Sequence, residues 1–247
     1  MALKPGFTYH LYHWMWNGLD LLFPPVCGGC GKAGIRWCDN CQRNLLVVSG
    51  PVCDQCGQPQ KLAGLCKNCQ KLRPAYQALR SWAVFRDPLR PALHKLKYRR
   101  DLGLGEVLAC SLAEYIETSL RWDIEVVVPV PLSPQRLSER GYNQVALIAQ
   151  PLAMLERWDY APKALKRVRH TRSQVGLSIQ ERKDNVQNAF EANPRLIGGK
   201  KILLIDDVAT TGATIVSASG SLVDAGARYV YALTAARAIS RYGPDAT

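Results

Sequence analysis

Apolar residues in this chain change their spacing several times, and each change marks an element. Trp14, Met15, Trp16, Leu19, Leu22 and Phe23 recur near helical spacing and stop at Pro24-Pro25, which predicts a helix within residues 1–26. Residues 81–85 (SWAVF) read as a first strand. Leu89, Leu93, Leu96 and Tyr98 then form one apolar side of a helix, and residues 104–120 form another through Leu108, Leu112, Tyr115 and Ile116. Residues 124–130 (IEVVVPV) are a continuous apolar run, the signature of a strand covered on both faces. A helix follows over 143–156, with Val145, Ile148, Leu152 and Leu155 on one face and Pro151 inside, where a kink or break is expected. Residues 202–205 form a second buried strand, 215–225 a helix, and 229–234 a late strand.

The stretch 201–214, KILLIDDVATTGAT, concentrates the chemistry. Asp206 and Asp207 stand at the carboxyl end of the apolar run. Val208, Ala209, Thr210, Thr211, Gly212, Ala213 and Thr214 lead from them into the next helix. A strand opening through small and hydroxyl residues into a helix N-terminus makes an anion cradle, because amide N–H groups converge there and the helix dipole favours negative charge. Gly212 lets the backbone approach closely. A bare phosphate gains nothing from two adjacent carboxylates, since like charges repel. A sugar phosphate uses both parts, with its phosphate on the loop and its vicinal hydroxyls donating to the acids. The stretch resembles the phosphoribosyl-pyrophosphate (PRPP) motif of type I phosphoribosyltransferases, in which the carboxylates hold the ribose and the loop binds the 5′-phosphate.

Charge adds a constraint on partners. The chain has 247 residues and a formal charge of +12, which stays positive even if eight thiolates hold two zinc ions, so an anionic partner is expected. No apolar run is long enough to span a bilayer, and the N-terminus lacks a small-residue cleavage site, so the cytoplasm is the expected compartment. The first helix has almost no basic residue after Lys4. Docking on the chain's own body is therefore expected, rather than lying on a membrane surface, where helices usually carry a basic polar face. His10 and His13 read as polar surface.

Eight of the nine cysteines form four CxxC pairs, Cys27/Cys30, Cys38/Cys41, Cys53/Cys56 and Cys66/Cys69. Each pair offers two sulfurs to one ion, and two pairs close a tetrahedral structural zinc site with no open position. The spacing leaves consecutive and interleaved pairing open. The segment looks like a double zinc ribbon, which implies consecutive pairing and two structural zinc ions over residues 27–70. Cys110 has no partner and reads as a small buried hydrophobe.

Two basic stretches remain. Lys95, Lys97, Arg99 and Arg100, with Tyr98 among them, are candidates for polyanion contact or an ordinary solvated helix face. Residues 163–186 are the second, with Arg169, Arg172 and Arg182. Between the strands, Pro129, Pro131 and Pro134 stiffen a loop where open α/β sheets bind ligands. The phosphoribosyltransferase resemblance sets Leu132, Ser133 and Arg136 where that family grips pyrophosphate. It also makes the second basic stretch a lid over the departing charge.

The CxxC pairs, LKYRRD, VPVPLSPQR, RGYNQ, TRSQVGLSIQERKDNVQNAF and the PRPP loop occur in that order. Together they resemble the ComF family of natural-competence proteins over nearly the whole chain from about residue 22. The resemblance implies an α/β fold in which a type I phosphoribosyltransferase-like parallel sheet, flanked by helices over residues 76–241, follows the small zinc-ribbon module. It implies PRPP with magnesium as ligand, and a role with single-stranded DNA and the competence machinery. Two classes of function follow: a phosphoribosyltransferase, hence a glycosyltransferase, with an unassigned acceptor, or a binding protein that recognises DNA or senses PRPP. Thr210 stands where some purine-salvage relatives carry an acidic base, so proton abstraction by that route is excluded.

Overall fold

The structure, a computed structural model, describes residues 6–168 and 189–239. Helix α1 (Phe7–Leu22) comes first, followed by the cysteine-rich module with two one-turn helices, α2 (Asp39–Arg43) and α3 (Lys67–Lys71). Strand β1 (Ala78–Val84), helices α4 (Leu89–Tyr98) and α5 (Leu104–Tyr115), and a π-helical turn (Ile116–Leu120) lead to β2 (Val126–Pro129). Then come α6 (Pro134–Arg140), α7 (Gln144–Glu156), β3 (Asp159–Tyr160), β4 (Leu165–Arg167), β5 (Phe190–Ala192) and α8 (Pro194–Ile197). Strand β6 (Lys201–Ala209), helix α9 (Ala213–Asp224) and strand β7 (Tyr229–Arg237) are the last of the described elements.

Five strands form one parallel sheet in the order β1-β7-β6-β2-β3. The continuous apolar runs are explained by burial on both sides. Leu203 and Ile205 of β6 face a core shared with α4, α5 and α7, while Ile202 and Leu204 face a second core with α9 and the β4–β5 pair. Helix α7 runs through Pro151 without the expected break. Proline has no N–H to give to the carbonyl four residues back, that of Leu147. Gly105 of α5 approaches this carbonyl so closely that an added Cβ would lie 2.5 Å from the oxygen. The neighbouring helix thus packs where the ladder is interrupted.

Three differences from the sequence reading bear on the site. Residues 134–140, expected as part of a stiff loop, form α6, started by Pro134 at its first turn and ended by Gly141 in the left-handed region at φ 82°. Strand β6 continues through both aspartates to Ala209 instead of ending before them. His13 is no mere surface group, because its Nδ1 lies 2.8 Å from Oε1 of the buried Glu106 on α5.

The cysteine module covers the exposed edge of β1. Val48 N donates to Trp82 O, Val84 N to Leu46 O and Leu79 N to Gln55 O, so the outer polar groups of β1 are paired. Gly57, at φ 66°, lies so close that a Cβ would sit 2.3 Å from Leu79 O. Arg237, buried at the end of β7, reaches Gln58 Oε1 at 3.2 Å and the Cys56 carbonyl. Unpaired edges template aggregation, and this module removes one. Stripping both metal ions with a chelator should lower the thermal midpoint by about 10 °C or more and raise light scattering, with zinc restoring both. An unchanged midpoint after verified metal loss would show that the module folds and caps β1 without metal.

Candidate functional site

Side chains alternate along a strand, so neighbours on β6 point to opposite faces of the sheet. That rule separates the two carboxylates. Asp207 lies on the face of α4 and α7 and is buried, with 5% of its surface exposed. Its Oδ2 accepts from Gln144 Nε2 at 2.8 Å and pairs with Lys97 Nζ at 2.7 Å. Gln144, first residue of α7, is itself buried and receives Arg140 Nη1 on its Oε1. The Arg140 guanidinium stands 5.0 Å over the Tyr98 ring, and Tyr142 Oη donates to Leu96 O at 2.6 Å. The strings LKY and RGYNQ, separate in sequence, therefore meet on Asp207.

Asp206 is half-buried on the other face and accepts the Asp207 amide on Oδ1 at 2.9 Å. Burial, and then the Asp207 charge, push its carboxyl up to about 7 against the pull of Lys97 and Arg167. Arg167 at the end of β4 stands 5.5 Å over the Phe190 ring. Burial and the nearby Arg136 charge lower its pKa, and Asp206 opposes that shift. Arg136 and Arg167 thus bring positive charge toward the Asp206 face.

Beyond β6 the chain turns through exposed Thr210 and Thr211 into Gly212, buried and left-handed at φ 77°, which starts α9. Thr211 Oγ1 accepts the Ala213 amide at 3.4 Å. Ala209 and Ala213 are buried, and Val208 and Thr214 half-buried. In the loop after β2, Ser133 is buried and its Oγ accepts the Arg136 amide at 3.4 Å, capping α6; Leu132 is half-buried and Arg136 exposed. Asn143 donates to Val130 O at 3.0 Å while capping α7 through Val145 N, fixing the loop against the helix that carries Gln144.

Of the first basic stretch, only part faces outward. Lys97 is taken by Asp207, and Lys95 donates to Cys27 O at 2.8 Å. Arg99 and Arg100 are exposed. Arg169, Arg172 and Arg182, expected as a lid, lie outside the described residues. Gln144 escaped the sequence reading because an isolated glutamine at a helix start has no distinguishing pattern. The inward role of Lys97 was hidden inside a run of cations.

The cysteines fall into two sets, Cys27, Cys30, Cys38 and Cys41, and Cys53, Cys56, Cys66 and Cys69, each with its sulfurs within 4.8 Å of one another. Sulfur pairs within the sets, such as Cys27–Cys41 and Cys56–Cys66, stand 3.6 Å to 3.7 Å apart. Tetrahedral zinc with Zn–S bonds of about 2.3 Å sets sulfurs roughly 3.8 Å apart, so both sets fit the ion in consecutive pairing. Burial raises the Cys27 thiol, but amide donors from Cys30, Cys38 and Gly29 outweigh it and bring the group down to about 6. Cys53 follows the same pattern.

A parallel α/β sheet edged by two Cys₄ knuckle modules defines the class: an α/β protein with an N-terminal double zinc ribbon. The model of the double zinc ribbon domain matches residues 18–70. Competence protein F of Haemophilus influenzae is 32% identical over 188 residues, 72% of this chain and 80% of that protein. The DNA utilization protein YhgH of Escherichia coli K12 is 32% identical over 85% of this chain and 96% of its own length. Competence protein ComFC of Bacillus subtilis is 28% identical, covering 85% and 84%. The chain belongs to the ComF family. A solved glutamine PRPP amidotransferase from B. subtilis overlays 58% of this chain and 26% of its own at 20% identity and a TM-score of 0.37. Among the described residues, no helix is long and apolar enough to cross a membrane.

Two predictions test the geometry. Lys97→Met leaves a buried carboxylate without its cation and should cost about 3 kcal/mol in urea unfolding, most of it recovered by adding Asp207→Asn. A double-variant loss equal to the sum of the two single-variant losses would show no coupling. Asp206 binds its proton more tightly folded than unfolded, so it withdraws stability as pH rises from its unfolded value of about 3.9 to about 7. Asp206→Asn should therefore be more stable than wild type at pH 8, with the gap closing toward pH 4; a gap independent of pH refutes the raised carboxyl.

Proposed function

We propose that the α/β domain binds a phosphoribosyl ligand, PRPP with magnesium, and transfers its phosphoribosyl group to an acceptor during the handling of incoming DNA. The observation that carries this reading is the continuity of β6 through Asp206-Asp207 into a loop whose left-handed Gly212 opens α9. The 5′-phosphate would rest on residues 210–214, where amides and threonine hydroxyls supply donors. Asp206 would accept from the ribose hydroxyls, with Arg136 and Arg167 balancing the charge of the phosphates. A carboxylate flanked by cations offers the hard oxygen donor that magnesium prefers, so these residues suit the metal–pyrophosphate pair. Magnesium, when bound, would neutralise charge growing on the leaving pyrophosphate.

In this scheme Asp207 has a different task from Asp206. Held by Lys97 and Gln144, it fixes the end of β6 and adds a negative charge behind Asp206. A ligand that needs Asp207 must take it from Lys97, which frees the ammonium for an anion. The role in DNA uptake is carried over from relatives named for competence and DNA utilization.

The pinned state of Asp207 also favours a second reading, in which the fold binds PRPP without turning it over. Calorimetric titration with PRPP and magnesium at pH 8 should show binding that falls at least about tenfold in Asp206→Ala. Pyrophosphate release with a panel of nucleobases then separates enzyme from sensor. Affinity indifferent to Asp206 overturns both readings.

A further inference from the structure

The two Cys₄ sets meet the body at different places. The first docks on α4 and α5: Lys95 Nζ donates to Cys27 O at 2.8 Å, and a Cβ on Gly28 would lie 2.6 Å from the Leu104 side chain. The second docks on β1 and on the end of β7. Leu79 N donates to Gln55 O at 2.7 Å, and Arg80 donates to the carbonyls of Cys53 and Asp54. Gly57, inside this second knuckle, approaches Leu79 and Arg237 together. A Cβ there would stand 2.3 Å from Leu79 O and 3.5 Å from a guanidinium nitrogen of Arg237.

The same two residues touch the loop after β6. A Cβ on Gly212, the left-handed residue that opens α9, would lie 3.7 Å from Leu79 Cδ2. Arg237 pairs with Ala209 in the register of β6 and β7, and Ala238 N donates to Ala209 O at 2.9 Å. The Arg237 side chain is buried, with 3% exposed, and among the described residues it donates to the knuckle, at Cys56 O and Gln58 Oε1. A buried guanidinium must be compensated. The knuckle does so with these oxygens and, when zinc is held, with the net negative charge of four thiolates on one divalent ion.

From this double contact we propose that Arg237 is a positioning residue through which the second zinc ribbon fixes the loop 210–214. The inference rests on reading that loop as the 5′-phosphate site and adds what holds it in shape. The metal touches no ligand. It sets the knuckle, the knuckle clamps Arg237, and Arg237 holds the strand end from which the loop departs, while Leu79 packs against Gly212.

The test uses the zinc-loaded full chain and two probes, ribose 5-phosphate and magnesium pyrophosphate. Arg237→Gln should weaken ribose 5-phosphate by about tenfold, within the range for residues that act on a site without touching its ligand, and leave magnesium pyrophosphate bound as in wild type. Arg237→Lys, which keeps the charge and a donor, should recover part of the loss. Wild type gives a second readout that needs no substitution. Coupling is reciprocal, so saturating ribose 5-phosphate should slow alkylation of Cys53, Cys56, Cys66 and Cys69 under a zinc chelator, followed peptide by peptide by mass spectrometry, more than that of Cys27, Cys30, Cys38 and Cys41. Equal protection of the two sets overturns the inference alone, as does a ribose 5-phosphate affinity indifferent to Arg237→Gln or a loss shared by both probes. Wild type that fails to bind ribose 5-phosphate overturns the phosphoribosyl reading and this inference with it.

Discussion

The alternation of side chains along β6 governs everything at its carboxyl end. Because the strand does not stop at the aspartates, one acid must enter each core-facing side of the sheet. A lone carboxylate cannot be buried at neutral pH without a cation or donors, since desolvation disfavours the charged form. The Asp207 side receives Lys97 and Gln144; the Asp206 side receives the looser influence of Arg136 and Arg167. One acid is thereby committed to the protein's own groups and the other is left strained upward in pKa. Strained, half-accessible carboxylates are the groups available for work.

This division explains why LKY and RGYNQ accompany the aspartates in the chain. Helix α4 delivers Lys97 and Tyr98, and the α6–α7 turn delivers Arg140, Tyr142, Asn143 and Gln144. Arg140 contacts Tyr98 and Gln144, Tyr142 holds the Leu96 carbonyl, and Lys97 and Gln144 meet on Asp207, while Asn143 ties the turn to Val130 O. Networks of this kind gain strength from the low local dielectric and lose it together when one member goes.

Most of the architecture was legible because its strands are apolar on both faces and its helices have one-sided periodicity. The strand at 202–205, the helix after Gly212 and the two cysteine sets all stood out as patterns. What escaped was set by partners far away in sequence. Whether β6 ended before or after Asp206 depended on β7, which pairs with it as far as Ala209. Lys95 and Lys97 looked like surface cations because no sequence pattern reveals that a carbonyl at Cys27 and a carboxylate at Asp207 lie above them.

The strand order carries a further meaning for how the chain comes together. In β1-β7-β6-β2-β3, the first strand made is joined to the rest only by the last one made. During synthesis β1 emerges and then waits through some 140 residues, α4 to α9, before β7 arrives to bridge it to β6. Residues 46–48 and 55 precede it and are already outside, holding its opposite margin through backbone bonds. A metal-knotted module at the amino end thus works as a built-in escort for the nascent strand, and its position ahead of the sheet, not behind it, is what lets it serve.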